Sequence, residues 1–278
     1  MMKKLSSLVV LSCLVFSISK AQFYYNDIYA KKLINQQMKL FKTNAVKTIS
    51  VKKLDTDNET TNDFSITKNI DEQYKNISTI STIYGNAFAS KAQYNNLLLI
   101  NTSEEKRNIF QTTSFTYNNQ NLSIVLTETF DSTVNESMFE EHKYIYNAKG
   151  VVLQMLKVKN ETDTMLVNFK ADEQGNIIEE EWLQAGRKIE TYYYYYNEKN
   201  QLTDVVRFNK KQGKLLPEML FEYNENGQLY KFFEIPYGSS NYNVWAYFYL
   251  PNGLKDKELL YNKSMELQGK LIYSYTYQ

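Results

Sequence analysis

The feature that most constrains this chain is a turn that returns about every 26 residues through its C-terminal half. Its cleanest copy is Tyr223-Asn224-Glu225-Asn226-Gly227-Gln228-Leu229. Looser copies begin at Tyr117, Tyr146, Tyr196 and Tyr249, and a more distorted one surrounds Gly175. The residues closing the tight turns are Asn121, Gly150, Gly175, Asn200, Gly227 and Gly253, at intervals of 29, 25, 25, 27 and 26. A fixed period of this length marks one supersecondary unit packed against its neighbours.

Each copy reads as a strand, a reversal and a return strand. Asn opens the turn because its side chain bonds to the backbone two residues on. The reversal then needs one residue in the left-handed region, which Gly enters freely and Asn tolerates. Val152, Ile177, Leu202 or Leu229 starts the return strand. Looser reversals lie between the tight ones, at Asn160 to Asp163, Gln184 to Gly186, Lys210 to Gly213 and Pro236 to Gly238. Two strands and two turns per unit, joined end to end, give an antiparallel meander. Leu202, Asp204, Val206 and Phe208 alternate with Thr203, Val205 and Arg207 as such strands require. The expected fold is mainly β, an antiparallel meander of repeated β-hairpins forming an extended twisted sheet, with a short N-terminal α-helix.

The chain opens with a different pattern. Lys3 and Lys4, an apolar stretch from Leu5 to Ile18, and Ser19-Lys20-Ala21 read as a signal peptide, residues 1–21, cleaved after Ala21. Val10-Leu11-Ser12-Cys13 loosely matches a lipidation site. The apolar run continues past Cys13, however, which favours a discarded cysteine. From Asn26 to about Thr43, Ala30, Leu33, Ile34, Met38 and Phe41 fall at helical spacing, with Asp27 as a candidate cap. This helix would cover one face of the sheet or one open end. Lys47 to Asp71, rich in Thr, Asn, Asp and Lys, reads as irregular, so residues 22–111 form a helix plus an irregular and β region. Residues 112–278 form the hairpin-repeat domain.

Tyr-Asn-x-x-Gly-x-Leu resembles the YD repeat of Rhs-type secreted bacterial proteins, and is similar to the short β-hairpin repeats of the MORN type. The resemblance spans roughly Thr112 to Gln278. Asn stands where the YD motif has Asp, Gln stands where it has Arg, and two of the copies lack the Gly. What it implies is a hairpin architecture and an exported setting, not an activity.

Little in the sequence points to chemistry. Export removes Cys13, the one cysteine, so disulfides, thiolate nucleophiles and Cys-bound metals are excluded. Loss of Lys3, Lys4 and Lys20 leaves 29 basic against 31 acidic residues, with no basic excess for nucleic acid. His142 is the single histidine and reads as a solvated surface residue. Neither a catalytic residue, a metal site nor a cofactor is expected. Glu179, Glu180 and Glu181 could supply a glycosidase pair, which needs carboxylates about 5 to 9 Å apart. A solvent-facing strand is the favoured reading of that run.

The unusual number is 24 Tyr, five of them consecutive from Tyr192 to Tyr196. Tyr192, Tyr194 and Tyr196 form one row on a strand, and with Trp245 they are the candidate contact residues for a glycan or protein partner. Packing against other strands is the alternative. The resulting expectation is an exported, non-enzymatic binding or scaffold protein of the bacterial envelope, at the periplasm, cell surface or beyond. It has two rivals. One is a small outer-membrane β-barrel, suggested by the alternating last strand from Leu271 to Tyr277, and it alone would involve a membrane. The other is a glycan-active enzyme.

Overall fold

The structure, a computed structural model, describes residues 23–278 apart from 56 and 211. The expected export signal, with Cys13, lies outside the described residues. One helix, α1 (Tyr25–Thr43), precedes eighteen strands. In chain order these are β1 (Val46–Leu54), β2 (Thr60–Ile70), β3 (Asn76–Ile83), β4 (Asn86–Asn95), β5 (Leu98–Lys106) and β6 (Ile109–Asn118). Next come β7 (Asn121–Asp131), β8 (Glu136–Tyr146), β9 (Val152–Lys159), β10 (Asp163–Ala171), β11 (Ile177–Gln184) and β12 (Arg187–Tyr196). The last are β13 (Leu202–Asn209), β14 (Lys214–Tyr223), β15 (Leu229–Glu234), β16 (Asn243–Tyr249), β17 (Lys255–Tyr261) and β18 (Leu267–Tyr277).

Each strand pairs antiparallel with its neighbour in sequence, as a meander requires. The pairing that the repeat does not announce is the last one. β18 returns to β1, with Val51 opposite Tyr273 and Ile49 opposite Tyr275. The sheet is therefore an 18-stranded closed barrel, not the extended twisted sheet expected. Closure abolishes both sheet edges, whose unpaired backbone groups would otherwise seek partners.

β1 and β2 occupy the stretch whose composition reads as irregular. Its Thr, Asn and Lys residues are mostly the outward halves of alternating strands. The inward halves, Ile49, Val51, Phe64, Ile66 and Ile70, are all buried. Thr is a good strand former, so polar composition here reports a wet face, not disorder. β6 runs through residue 111, and the sheet is continuous across that boundary.

The tight turns follow their expected chemistry. Asn147 Oδ1 accepts from the Lys149 and Val151 N–H groups at 2.9 and 3.0 Å, and Asn197 Oδ1 from Lys199 and Gln201 at 3.0 Å each. Gly227 sits at φ 76° and Asn200 at φ 56°. In the first copy the left-handed residues are Asn119 and Gln120, a two-residue reversal, so Asn121 instead begins β7.

The motif tyrosine has a further role. Its hydroxyl donates to the carbonyl that begins the previous copy's return strand. Tyr146 reaches Leu122 at 2.6 Å, Tyr196 reaches Ile177 at 2.8 Å, Tyr223 reaches Leu202 at 2.7 Å and Tyr249 reaches Leu229 at 2.8 Å. Tyr and Leu of the motif are thus partners across adjacent hairpins, and each unit is stitched to the one before it.

Candidate functional site

α1 crosses the end of the barrel that carries the tight turns. Asn26, Ala30, Ile34, Met38 and Phe41 face inward and are buried, whereas Lys32, Leu33, Gln36 and Lys39 stay exposed. It touches widely separated parts of the ring. Phe23 packs on Tyr192 and Tyr194, Tyr29 bonds to Tyr223, Asn35 Oδ1 accepts from the Leu99 N–H at 2.9 Å, and Leu40 lies against Gly253. The helix is a stopper.

Two clusters of wall residues fix its first turn. Asp27 does not cap it; Glu180 of β11 does. Glu180 Oε1 accepts from the Tyr24 N–H at 2.7 Å and Trp182 Nε1 at 2.5 Å, and Oε2 from the Tyr25 N–H at 2.8 Å and the Tyr194 hydroxyl at 2.6 Å. Burial holds the Glu180 carboxyl above the usual carboxylate range, and these four donors offset part of that rise. A carboxylate at the helix N-terminus satisfies backbone donors that have no partner within the helix and meets the positive end of the dipole.

The second cluster surrounds His142 on β8, which is buried and not the surface residue expected. Its Nδ1 lies 2.6 Å from Asp27 Oδ2 and its Nε2 lies 3.1 Å from Glu140 Oε1. Both partners are carboxylates, which accept, so both ring nitrogens donate and the imidazole is charged. Burial alone would lower the His142 pKa, but the two carboxylates overcome it and raise it to about 9. Glu140, held mainly by His142 and also by Lys157 at 2.9 Å, is lowered to about 2. The Tyr144 hydroxyl adds a 2.7 Å bond to Asp27.

Inside the barrel the wall divides into two kinds. From β10 round to β1 the inward rows are largely apolar and aromatic, including Val167, Tyr192, Val205, Phe232, Leu260 and Val51, and they fill the interior. From β2 to β9 they carry Thr79, Ser81, Ser90, Thr102, Glu104, Thr113, Thr127 and Glu140, and enclose a cavity of about 760 Å³ floored by α1. That volume is within the roughly 300–1,000 Å³ range of small-molecule sites. The cavity is the candidate site.

The residues expected to make contacts lie elsewhere. Tyr192, Tyr194 and Trp245 are buried in the packed half, and Tyr196 is half-buried with its hydroxyl committed to the stitch. They form no exposed row, because the inward side of a closed barrel is its core. Glu179 and Glu181 do face solvent, paired with Lys170 at 2.9 Å and Lys188 at 3.1 Å. Among the described residues no group of His, Cys, Asp and Glu is placed to hold a metal, and no helix is long and apolar enough to cross a membrane.

No protein-family model matches the chain, and no curated protein matches it. A porin-like protein from Bacteroides uniformis ATCC 8492 aligns over 84% of this chain and 97% of its own, at 10% identity and a TM-score of 0.42. The structure of TcdB2-TccC3 aligns over 80% of this chain and 16% of its own, at 10% identity and 0.32. That of TcdB2-TccC3-Cdc42 aligns over 81% and 17%, at 10% identity and 0.25. The chain thus spans less than a fifth of these last two. At such scores the likenesses carry no argument about function, and the barrel rests on its own strand pairing. That closure backs the small outer-membrane β-barrel better than it backs an open binding sheet.

Proposed function

We propose that the chain is an exported, non-enzymatic barrel of the bacterial envelope that receives a small hydrophilic ligand in its lumen. The observation that carries this reading is the cavity of about 760 Å³ between β2 and β9, closed at one end by α1, in which Thr, Ser, Glu and Lys side chains are set among apolar ones such as Ile77, Phe88 and Phe115. The tyrosine stitch also supports kinship with YD-type repeats, since it gives the Tyr and Leu of the motif a joint purpose.

The outer wall bears on whether this barrel sits in water or in a membrane. Thr48, Ser50 and Lys52 on β1 and Ser65, Thr67 and Asn69 on β2 alternate with the buried rows and point outward. A lysine facing lipid at mid-depth costs about 2–4 kcal/mol, so this arc supports water outside the barrel. The outer-membrane barrel is the second reading, and a specific observation favours it too. Phe110, Leu126, Phe139 and Leu156 are exposed on the outward rows of β6 to β9 and would form its lipid-facing side.

Alkaline extraction separates the two settings: release into the supernatant is expected, and retention in the membrane pellet would establish the second. For the lumen, Thr102→Cys in the cysteine-free exported chain gives a reporter thiol on the cavity wall. A small maleimide should label it, and the low-molecular-weight fraction of an envelope extract should slow the labelling. Unchanged labelling in that extract would overturn the lumen reading.

A further inference from the structure

We infer that the lumen selects anions, small compounds bearing a carboxylate or phosphate group. The inference rests on the lumen reading above and adds a sign of charge to it.

The cavity lining carries both signs, but not equally. Lys31, Lys68, Lys106, Lys157, Lys159 and Arg207 stand on the helix or on inward rows, against Asp27, Glu104 and Glu140. Pairing within the wall cancels part of this. Arg207 is held by Glu218 and by Glu190 at 3.4 Å. Lys157 is held by Glu140, and Asp27 is held by the charged His142. Lys106 and Lys159 form no ion pair among the described residues, and of the lining carboxylates only Glu104 remains to offset them. The lumen is therefore electropositive while the whole chain is close to neutral.

The positions of these charges matter as much as their number. Lys106 and Lys159 are exposed near the mouth, and Lys31 is half-buried on the floor, its amine 4.4 Å from the Phe115 ring centre. A path of one sign between low-dielectric walls concentrates counter-ions inside it. The register also places Thr102, Thr113 and Thr127 in one line across β5, β6 and β7, adding hydroxyls to the same cavity wall, with Thr113 and Thr127 bonded to each other at 3.1 Å. Hydroxyls and ammonium groups together suit carboxylate and phosphate oxygens. Neither group distinguishes a neutral sugar as strongly.

The test is calorimetric titration of the exported chain with glucuronate, glucose 6-phosphate and glucose. At least one of the two anions should bind at least about tenfold more tightly than glucose, a difference of about 1.4 kcal/mol. Its affinity should fall as salt rises from about 0.05 to about 0.5 M, since the rim charges are open to screening. Lys106→Glu combined with Lys159→Glu should weaken that binding about tenfold or more with an unchanged near-ultraviolet dichroism spectrum, and Lys188→Glu on the outer wall should not. Equal affinity for glucose, an unchanged affinity in the rim double variant, or no binding by either anion would each overturn the inference. Thiol protection at Thr102→Cys then tells whether the lumen reading falls with it.

Discussion

Glu180→Gln probes the anchor of the stopper with almost no change of shape. The native carboxylate offers two oxygens to four donors, and three of these, the Tyr24 and Tyr25 N–H groups and Trp182 Nε1, can only donate. A glutamine amide must turn its NH₂ toward one pair. Facing Tyr24 and Trp182 creates two donor–donor conflicts, whereas facing Tyr25 and Tyr194 creates one, because the Tyr194 hydroxyl can rotate to accept. The second orientation is preferred, and its orphaned Tyr25 N–H costs about 1–3 kcal/mol. Loss of the charge at the helix N-terminus adds up to about 2 kcal/mol in a buried setting. The expected total is about 1–5 kcal/mol, read as a fall in the urea midpoint with Trp182 fluorescence as a local reporter. A cost below about 0.5 kcal/mol, near the scatter of neutral substitutions, would refute the reasoning. It would mean that the raised Glu180 carboxyl is already protonated in the native state, donating to Tyr194.

Other perturbations test separate parts of the design. Tyr249→Phe removes one stitch, leaves the Leu229 carbonyl without that donor, and should cost about 0.5–1.5 kcal/mol in urea unfolding. Combined with Tyr117→Phe, which removes the 2.8 Å bond from the Tyr117 hydroxyl to the Leu99 carbonyl far round the ring, the costs should add within about 0.5 kcal/mol. Gly227→Ala forces a side chain to φ 76° with its Cβ 3.3 Å from Gln201 Nε2. It should lose about 1–2 kcal/mol on backbone grounds alone. The His142 cluster should make proteolysis of α1 depend on pH. His142 is raised, so its contribution is full below about 6.5 and is lost as pH climbs through about 9; Glu140 is lowered, so its contribution is full above about 4.5 and fails toward about 2. Protection of α1 should therefore be greatest between these limits, and His142→Gln should flatten its alkaline side.

Much of the fold was legible because turn chemistry is local. Asn197 and Gly227 announce their reversals, and alternation on β13 separates the row of Val205 and Arg207 that turns inward, although the pattern alone does not say which row that is. The missing parts depend on distant partners. Nothing in Leu271 to Tyr277 states that its backbone will meet Val46–Leu54, so an open sheet and a ring look alike until the two ends are compared. The same gap hid the site. Tyr192 and Tyr194 look like a contact row only while one face of the sheet is taken as free. His142 looks solvated only until Asp27 is brought beside it by a helix 115 residues earlier. One signal was present and passed over: alternation puts Glu180 with Trp182 on the face opposite Glu179 and Glu181, and a glutamate on an aromatic inward row calls for a donor.

The stitch has a consequence for size. Each tyrosine binds only the preceding hairpin, so nothing in the repeat itself says how many units the ring should hold. Removing one unit, from Leu202 to Gln228, would shorten the ring by two strands, put Leu229 in Leu202's place after Gln201, and keep the Tyr249–Leu229 stitch intact. Circumference is thus counted in whole hairpins, and the lumen grows or shrinks in steps. The element of fixed length beside this variable ring is α1, whose 19 residues span about 28 Å. Anchored at Glu180 on β11 and against Gly253 between β16 and β17, it spans five to six of the eighteen staves like a caliper, so losing a unit between those anchors would bring its two contact points closer together than its length.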